Sequence, residues 1–210
     1  MASVQEILSG ANHRRIESAL ELKDFDCDDG DLNEFFHKDA SVSQEILLSV
    51  TYVIETEKET IAFYSLSNDK ISKSDGPSNN QWNRFRENKF QDWKAKLSSY
   101  PCVKLGRLGV NKKYQSAGIG EFLINHIKLL FITNNRTGCR FITVDAYNKD
   151  RTLKFYERNG FLFLPVKDSE EKEENPRTKL MYYDLIQITN AQNGSFNNEE
   201  SKFTNSTNLM

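Results

Sequence analysis

Between Cys102 and Phe131 a strand pattern, a turn of small residues and an apolar helix pattern follow one another directly. No other part of the chain limits the fold as much. "CVKLGRLGV" is rich in β-branched and alternating residues, as a strand requires. Gly106 and Gly109 inside it predict a bulge or a close approach of backbone. After the turn Gln115-Ser116-Ala117-Gly118-Ile119-Gly120, the residues Ile119, Phe122, Leu123, Ile127, Leu130 and Phe131 repeat at helical spacing. A strand that turns into a helix through small residues presents unpaired backbone N–H groups at the helix start, a natural anion site. The turn is not a Walker A loop, because no Gly-Lys-Ser/Thr follows, and it is not the dinucleotide pattern GxGxxG. On these six residues alone a bare tight turn and a diphosphate cradle remain equal alternatives.

The flanking segments predict an α/β domain. "FDCDDGDLNEFFHKDA" reads as a turn and then a helix, with Asp31 as cap, Glu34 completing a capping-box-like pair, and Leu32, Phe35, Phe36 and Ala40 as its apolar stripe. "ILLSVTYVIE" and "TIAFYSLS" predict two strands joined by a tight turn at Glu57-Lys58-Glu59. "RFITVDAY" is the near-continuous apolar run of a central strand. "KDRTLKFYERNGF" predicts a short helix closed by a left-handed cap at Asn159-Gly160, and "KLMYYDLI" a final strand. The boundaries that follow are an amino-terminal extension over 1–16, the domain over 17–188 with a polar insertion at 68–100, and an Asn-rich flexible tail over 189–210.

Composition narrows the class. A chain of 210 residues with 38% apolar content and fourteen Phe suits one globular domain. Cys27, Cys102 and Cys139 show no CxxC or His-paired spacing, which predicts buried reduced thiols rather than zinc or a disulfide framework. His13, His37 and His126 have no metal spacing either. No apolar run approaches the roughly 20 residues of a membrane span, and the start of the chain lacks a signal-peptide pattern. A cytoplasmic protein is expected.

The net charge of −2 conceals an uneven distribution. Glu17 to Glu59 holds thirteen acidic and three basic residues, whereas Lys70 to Lys104 holds eight basic and three acidic ones. The basic stretch interleaves Trp82, Phe85, Phe90 and Trp93 with Arg84, Arg86, Lys89 and Lys94. Such a segment could stack nucleic-acid bases. The apolar spacing favours packing over the core.

Taken together, these motifs resemble the GCN5-related N-acetyltransferase (GNAT) superfamily. Gln115, Gly118 and Gly120 match its acetyl-coenzyme A loop, Gln/Arg-x-x-Gly-x-Gly/Ala. "LGRLGV" and "VDAYNKDRTLKFYERNGF" match its cofactor strand and its Asn…Phe-Tyr…Gly-Phe segment. The resemblance implies a mixed central sheet of six or seven strands, flanked by helices and splayed at an acetyl-CoA wedge. It also implies roles. Backbone of Leu108, Gly109 and Val110 would pair with the pantetheine arm, and the amides of Gln115, Ser116, Ala117, Gly118, Ile119 and Gly120 would hold the pyrophosphate. Asn148 would lie near the pantetheine. Tyr156 would be the general acid that protonates the departing thiolate, a role that contributes about 10²–10⁴-fold. No metal is implied, and dimers are common in the superfamily.

"FDCDDGDLNEFF" together with "VKLGRLGV" and "FYERNGF" is similar to the toxin-type subgroup that acetylates aminoacyl-tRNA and is paired with an antitoxin. That likeness implies tRNA as a partner, with Arg84, Arg86 and Lys89 as candidate contacts. The pI near 6.0 and the long polar insertion depart from the subgroup. One chemical feature bears on the acceptor amine independently. "CVKLGRLGV" carries no Glu or His placed as a general base. A lysine amine, pKa about 10.4, would then cost roughly 4.6 kcal/mol to deprotonate at pH 7, whereas an α-amine at about 8 costs only about 1.4 kcal/mol. The expected activity is acetyl-CoA-dependent N-acetylation, first of an aminoacyl-tRNA α-amine. A small-molecule or protein amine is the second reading, and a non-catalytic acetyl-CoA-binding module the third.

Overall fold

The computed structural model describes residues 2–17, 22–90, 97–133, 137–165 and 176–189. Most of residues 189–210, and Trp93 and Lys94, lie outside them. In chain order the elements are α1 (Val4–Leu8), β1 (Asn12–Arg15), α2 (Gly30–Glu34), α3 (Ala40–Glu45), β2 (Val50–Glu55), β3 (Thr60–Ser72), α4 (Asn79–Glu87), β4 (Ser99–Val110), α5 (Ile119–Thr133), β5 (Phe141–Tyr147), α6 (Asp150–Arg158), β6 (Leu162–Phe163) and β7 (Thr178–Asp184). The seven strands form one sheet in the order β1-β2-β3-β4-β5-β7-β6. Neighbours pair antiparallel except β4 and β5, which are parallel.

Side chains alternate across the sheet and so build two faces. One face carries Tyr64, Leu66, Val103, Leu105, Ile142, Val144 and Met181. It is closed by Ile119, Leu123, Ile124 and Ile127 of α5 and by Tyr156 of α6. The opposite face has two separate covers. Phe25, Phe36 and Ala40 pack on Val53 and Phe63, while Trp82 and Phe85 of α4 pack on Ile71, Tyr100, Cys102, Phe141 and Tyr182. Between these covers runs a polar strip, in which buried Thr143 Oγ1 donates to Asp69 Oδ2 at 2.6 Å and the partly exposed Lys104 Nζ meets Asp145 Oδ2 at 2.5 Å.

Several expectations are corrected. The cap of α2 is Asp29, whose carboxylate accepts from the Leu32 N–H at 3.1 Å; Asp31 sits inside the first turn. Beyond α2 the chain makes a π-type turn over Phe35–Asp39 before α3. The first hairpin strand begins at Val50, and Ile46, Leu47 and Leu48 before it are exposed. On α5, Phe122 and Leu130 are also exposed, and Ile124 takes the buried position instead. The ladder between β3 and β4 runs on to Ser72↔Ser99, so the segment between the strands starts at Lys73 rather than Asn68. A strand that the sequence did not announce, β1, lies within 1–16 and joins the sheet through β2. Its residues Asn-His-Arg-Arg have no apolar signal. Arg14 instead pairs with the buried Glu55 at 3.0 Å, and His13 Nε2 lies 3.1 Å from the Tyr64 hydroxyl.

Candidate active site

The parallel pairing of β4 with β5 is short. It runs from Cys102↔Phe141 to Lys104↔Thr143, after which the strands part. β4 keeps β3 on its other edge as far as Val110↔Ala62. Where the strands part, Ser65 faces Arg107 and Leu66 faces Leu105, so Gly106 is the extra residue of a bulge. The gap opens into a cavity of about 1220 Å³ lined by both strands, by the turn before α5 and by α6. Along the edge of β4 turned from β3, the backbone amide groups past Lys104 have no strand partner in β5, and unpaired backbone groups of this kind accept an extended, amide-bearing ligand.

The turn is fixed from several directions. Asn111 buries its side chain, donating to the Thr60 carbonyl at 3.1 Å. Lys112 pairs with Asp26 at 2.6 Å, and this ammonium holds the Asp26 carboxyl well below the usual range. Lys113 and Tyr114 both bond Glu59 of the β2–β3 turn. The Gln115 side chain donates to the carbonyls of Cys27 and Val110 at 2.9 and 3.1 Å. Its amide is therefore used for stapling the turn, a role that its place in a loop motif did not announce. The backbone then passes through two left-handed residues, Ser116 at φ 64° and Gly118 at φ 87°. The second of these explains glycine better than room for a ligand does. At Gly120 the missing side chain makes room for Phe155, whose ring would lie 3.2 Å from a Cβ there. The first hydrogen bond of the helix end runs from Phe122 N–H to the Gly118 carbonyl at 3.0 Å. The first-turn N–H groups of Ile119, Gly120 and Glu121 thus have no intrahelical acceptor and suit an anion. Arg151 and Arg158 of α6 line the same cavity, as does the acidic Glu121.

Of the residues expected at the site, Leu108, Gly109, Val110, Gln115, Ser116, Gly118, Ile119, Gly120 and Tyr156 line this one cavity. Ala117 turns into the core instead. Asn148 lines a neighbouring depression with Asp31, Tyr147 and Arg177, and its amide donates to the Pro176 carbonyl at 3.0 Å. Tyr156 is buried between Phe155 and Phe161, at ring distances of 5.1 and 5.3 Å. Burial pushes its hydroxyl far above the ordinary tyrosine pKa, so it stays protonated. Among the described residues no side chain is hydrogen-bonded to that hydroxyl. The mouth of the cavity joins α2 to the ends of β5 and β7. There Asp31 meets both Arg177 and the Tyr147 hydroxyl, the latter at 3.1 Å. Arg107, exposed, stands over the Phe35 ring at 5.1 Å.

The basic-aromatic segment is mainly a packing element. Trp82 and Phe85 are buried. Lys89 is held by Asp184 at 3.1 Å and by the faces of Phe85, Phe141 and Tyr182, which leaves Arg84 as the exposed cation among the segment's described residues. Cys27 and Cys102 are buried free thiols, and burial raises both pKa values. No group of three His, Cys, Asp or Glu among the described residues is placed to hold a metal ion, and no helix among them is long and apolar enough to cross a membrane.

Residues 48–162, more than half of the chain, match the acetyltransferase (GNAT) domain family. Solved structures of similar fold include a tyrosine-to-phenylalanine mutant of KacT, 21% identical, with a TM-score of 0.67 over 87% of this chain and 99% of that one. AtaT complexed with acetyl-methionyl-tRNAfMet is 18% identical, with a TM-score of 0.64 over 85% of this chain and 97% of that one. AtaTR bound with acetyl-CoA is 19% identical, with a TM-score of 0.63 over 86% and 97%. At such identities the likeness is one of fold. The family match, the parallel strands that part at Lys104 and the glycine turn at the start of α5 agree: the chain belongs to the GNAT family and is an N-acetyltransferase.

Proposed function

We propose that this acetyltransferase moves the acetyl group of acetyl-CoA directly to the α-amine of an aminoacyl-tRNA, in the manner of a growth-arresting toxin held in check by an antitoxin. The observation that carries the transfer is the placement of buried Tyr156 on the wall of the cavity between the parted strands, where burial favours its protonated form. Acetyl-CoA, when bound, supplies the activated thioester. The unpaired edge of β4 through Leu108, Gly109 and Val110 would hold its extended arm, and the amides at the start of α5, with Arg151 and Arg158, would hold its phosphates. Tyr156 would then give its proton to the thiolate as the amine displaces it.

Two features support an α-amine. No histidine lines the cavity, and of its carboxylates Asp29 caps α2, Asp31 holds Arg177, Asp28 faces Lys112 at 3.5 Å, Asp145 meets Lys104 at 2.5 Å, and Glu121 sits in the first turn of α5. An amine that is already partly neutral near pH 7 needs least help under these conditions. Exposed Arg107, Lys149, Arg151 and Arg177 around the opening fit a polyanionic carrier. The relatives AtaT, complexed with acetyl-methionyl-tRNAfMet and with the C-terminus of the antitoxin AtaR, agree with the same reading.

The test is coenzyme A release with charged tRNA, polyamines and lysine peptides, for wild type and Tyr156→Phe. The variant should lose about 10²–10⁴-fold in kcat while acetyl-CoA affinity stays within about twofold. For an α-amine, kcat/KM should rise with pH and level near 8; for a lysine amine it should rise on toward about 10.4. Because the Tyr156 pKa is raised, no alkaline decline should intervene. Full activity of Tyr156→Phe would remove it from the mechanism. Acetylation of peptides or polyamines in preference to charged tRNA would give the second reading its place. Coenzyme A release with none of these amines would leave only an acetyl-CoA-binding module.

A further inference from the structure

The acid of this reaction enters the cavity from the face covered by α5 and α6. That cover closes the face, so the acceptor has to approach from the other one. There a polar strip between the α2–α3 cover and α4 leaves Lys104 and Asp145 partly exposed. Thr143 is the last β5 residue paired with β4, opposite Lys104. Asp145, two residues on, shares its face, whereas Val144 and Ala146 between and beside them point into the core with Tyr156. Lys104 and Asp145 therefore stand at the apex of the gap, on the acceptor's side, and both line the cavity. Their side chains remain 34% and 44% exposed.

We propose that Asp145 receives the acceptor amine, and that in the absence of acceptor the Lys104 ammonium occupies the position the amine takes. This rests on the acetyl-transfer reading and adds to it the group that recognises the acceptor. An attacking primary amine points its lone pair at the acetyl carbon and has N–H groups left over, which need acceptors. A carboxylate is acceptor-only and takes two of them. The carboxylates of Asp28, Asp29 and Asp31 are tied to the frame around α2 and the turn, to Lys112, the Leu32 N–H and Arg177 in turn. Asp145 has one described partner, Lys104 Nζ at 2.5 Å, and that partner is itself an amine on a flexible stem. Lys104 can swing aside without breaking any other described bond, so displacement costs little beyond an exposed ion pair.

The experiment is steady-state kinetics of the full chain with charged tRNA, a polyamine and hydroxylamine, a small amine that is neutral at pH 7. Asp145→Asn should raise KM for the cationic or α-amine acceptor about ten- to hundredfold. It should leave acetyl-CoA affinity within about twofold, and hydroxylamine, which shares the N–H donors but carries no positive charge, should lose less than the cationic acceptors. Lys104→Met should lower the acceptor KM, because it removes the competing ammonium. Unchanged acceptor kinetics in Asp145→Asn would overturn the assignment. So would an equal loss toward every acceptor and toward acetyl-CoA, which would mark a structural role. A wild type that acetylates other amines but not charged tRNA would remove the tRNA reading alone, and the Asp145 comparison would then be made on the amine it does use. A wild type that acetylates none removes both.

Discussion

From Cys102 to Lys104, β4 lies between β3 and β5, with Tyr100 and Cys102 beneath the aromatic cover of α4; from Leu105 to Val110 it keeps β3 and loses β5. In the first part every resource goes into closure. Tyr100 and Cys102 are buried under Trp82, Phe85 and Phe90, and the cations Lys89 and Arg140 converge on Asp184. The second part is left open, with a bulge at Gly106, a bare backbone edge and a cavity beside it. One strand thus serves as scaffold over half its length and leaves an open edge beside the cavity over the other half. The difference comes from its partner's departure rather than from its own composition. Binding edges of this kind need a rigid neighbour, because an unpaired strand tends to recruit another chain.

The largest expected effect breaks the closed half. Asp184 is buried and accepts from Lys89 Nζ at 3.1 Å and Arg140 Nε at 2.7 Å. Asp184→Ala leaves two partly buried cations facing aromatic rings with no anion, a change that costs about 3–5 kcal/mol. Urea unfolding at pH 7 should show that loss. If the two halves are separate in function, acetyl-CoA affinity measured on the folded variant should stay within about threefold. A large loss of affinity in a still-folded variant would mean the closed half sets the width of the wedge.

A smaller effect probes the open half. A Cβ at Gly109 would lie 2.5 Å from Phe63 Cε1 and 3.0 Å from Phe25 Cζ. Phe63 is fully buried and edge-on to Phe25 at 5.1 Å between centroids, so neither ring can yield freely. Gly109→Ala should cost about 2–3 kcal/mol by overpacking and, unlike Asp184→Ala, should also weaken acetyl-CoA binding. Gly106→Ala, where a Cβ meets nothing nearer than the Ser65 carbonyl at 3.7 Å, is the control and should be milder in stability. Equal effects at the two glycines would show that Gly109 is not a contact glycine.

The sequence was informative where the local signal and the tertiary role coincide. The central strand at Phe141–Tyr147, the helix from Ile119 and the cap at Gly160, where Phe161 N–H reaches the Tyr156 carbonyl at 3.0 Å, follow directly from pattern. What stayed hidden depends on partners distant in the chain. β1 is polar in every residue, and its docking rests on Glu55, Gln44 and Tyr64 rather than on an apolar stripe. Ile46, Leu47 and Leu48 carry a strand composition but are spent on an exposed turn, with Leu47 at φ 62°. Asp145 sits in an otherwise apolar run, where periodicity reads it as a lone charge on a buried strand. Only the parting of β4 from β5 makes it a cavity residue. The glycines of the turn have structural reasons that the pattern did not announce, since Gly118 answers to a left-handed backbone and Gly120 to Phe155.

The smallest expected effect contrasts how the two regions handle a buried cation. Lys89 and Arg140 have Asp184, whereas Lys128, on the face of α5 turned to the core, makes no ion pair with a carboxylate among the described residues, and only the more distant Glu121 favours its charge. Its ammonium donates to the Asn159 carbonyl at 2.7 Å and lies 3.9 Å from the centre of the Tyr183 ring. Those contacts favour the cation. Burial opposes it more strongly and brings the pKa down to about 8. The folded protein therefore releases this proton near pH 8, while the unfolded chain holds it to about 10.4. Between those values the unfolded state binds more protons, so stability should rise with pH. The expected gain is about 2 kcal/mol between pH 8 and 10, read as the difference in urea midpoint between wild type and Lys128→Met, which lacks this titration and keeps the packing volume. Should that difference not change with pH, the carbonyl and the ring would be compensating the charge as fully as Asp184 does, and the contrast between the two regions would be one of geometry alone.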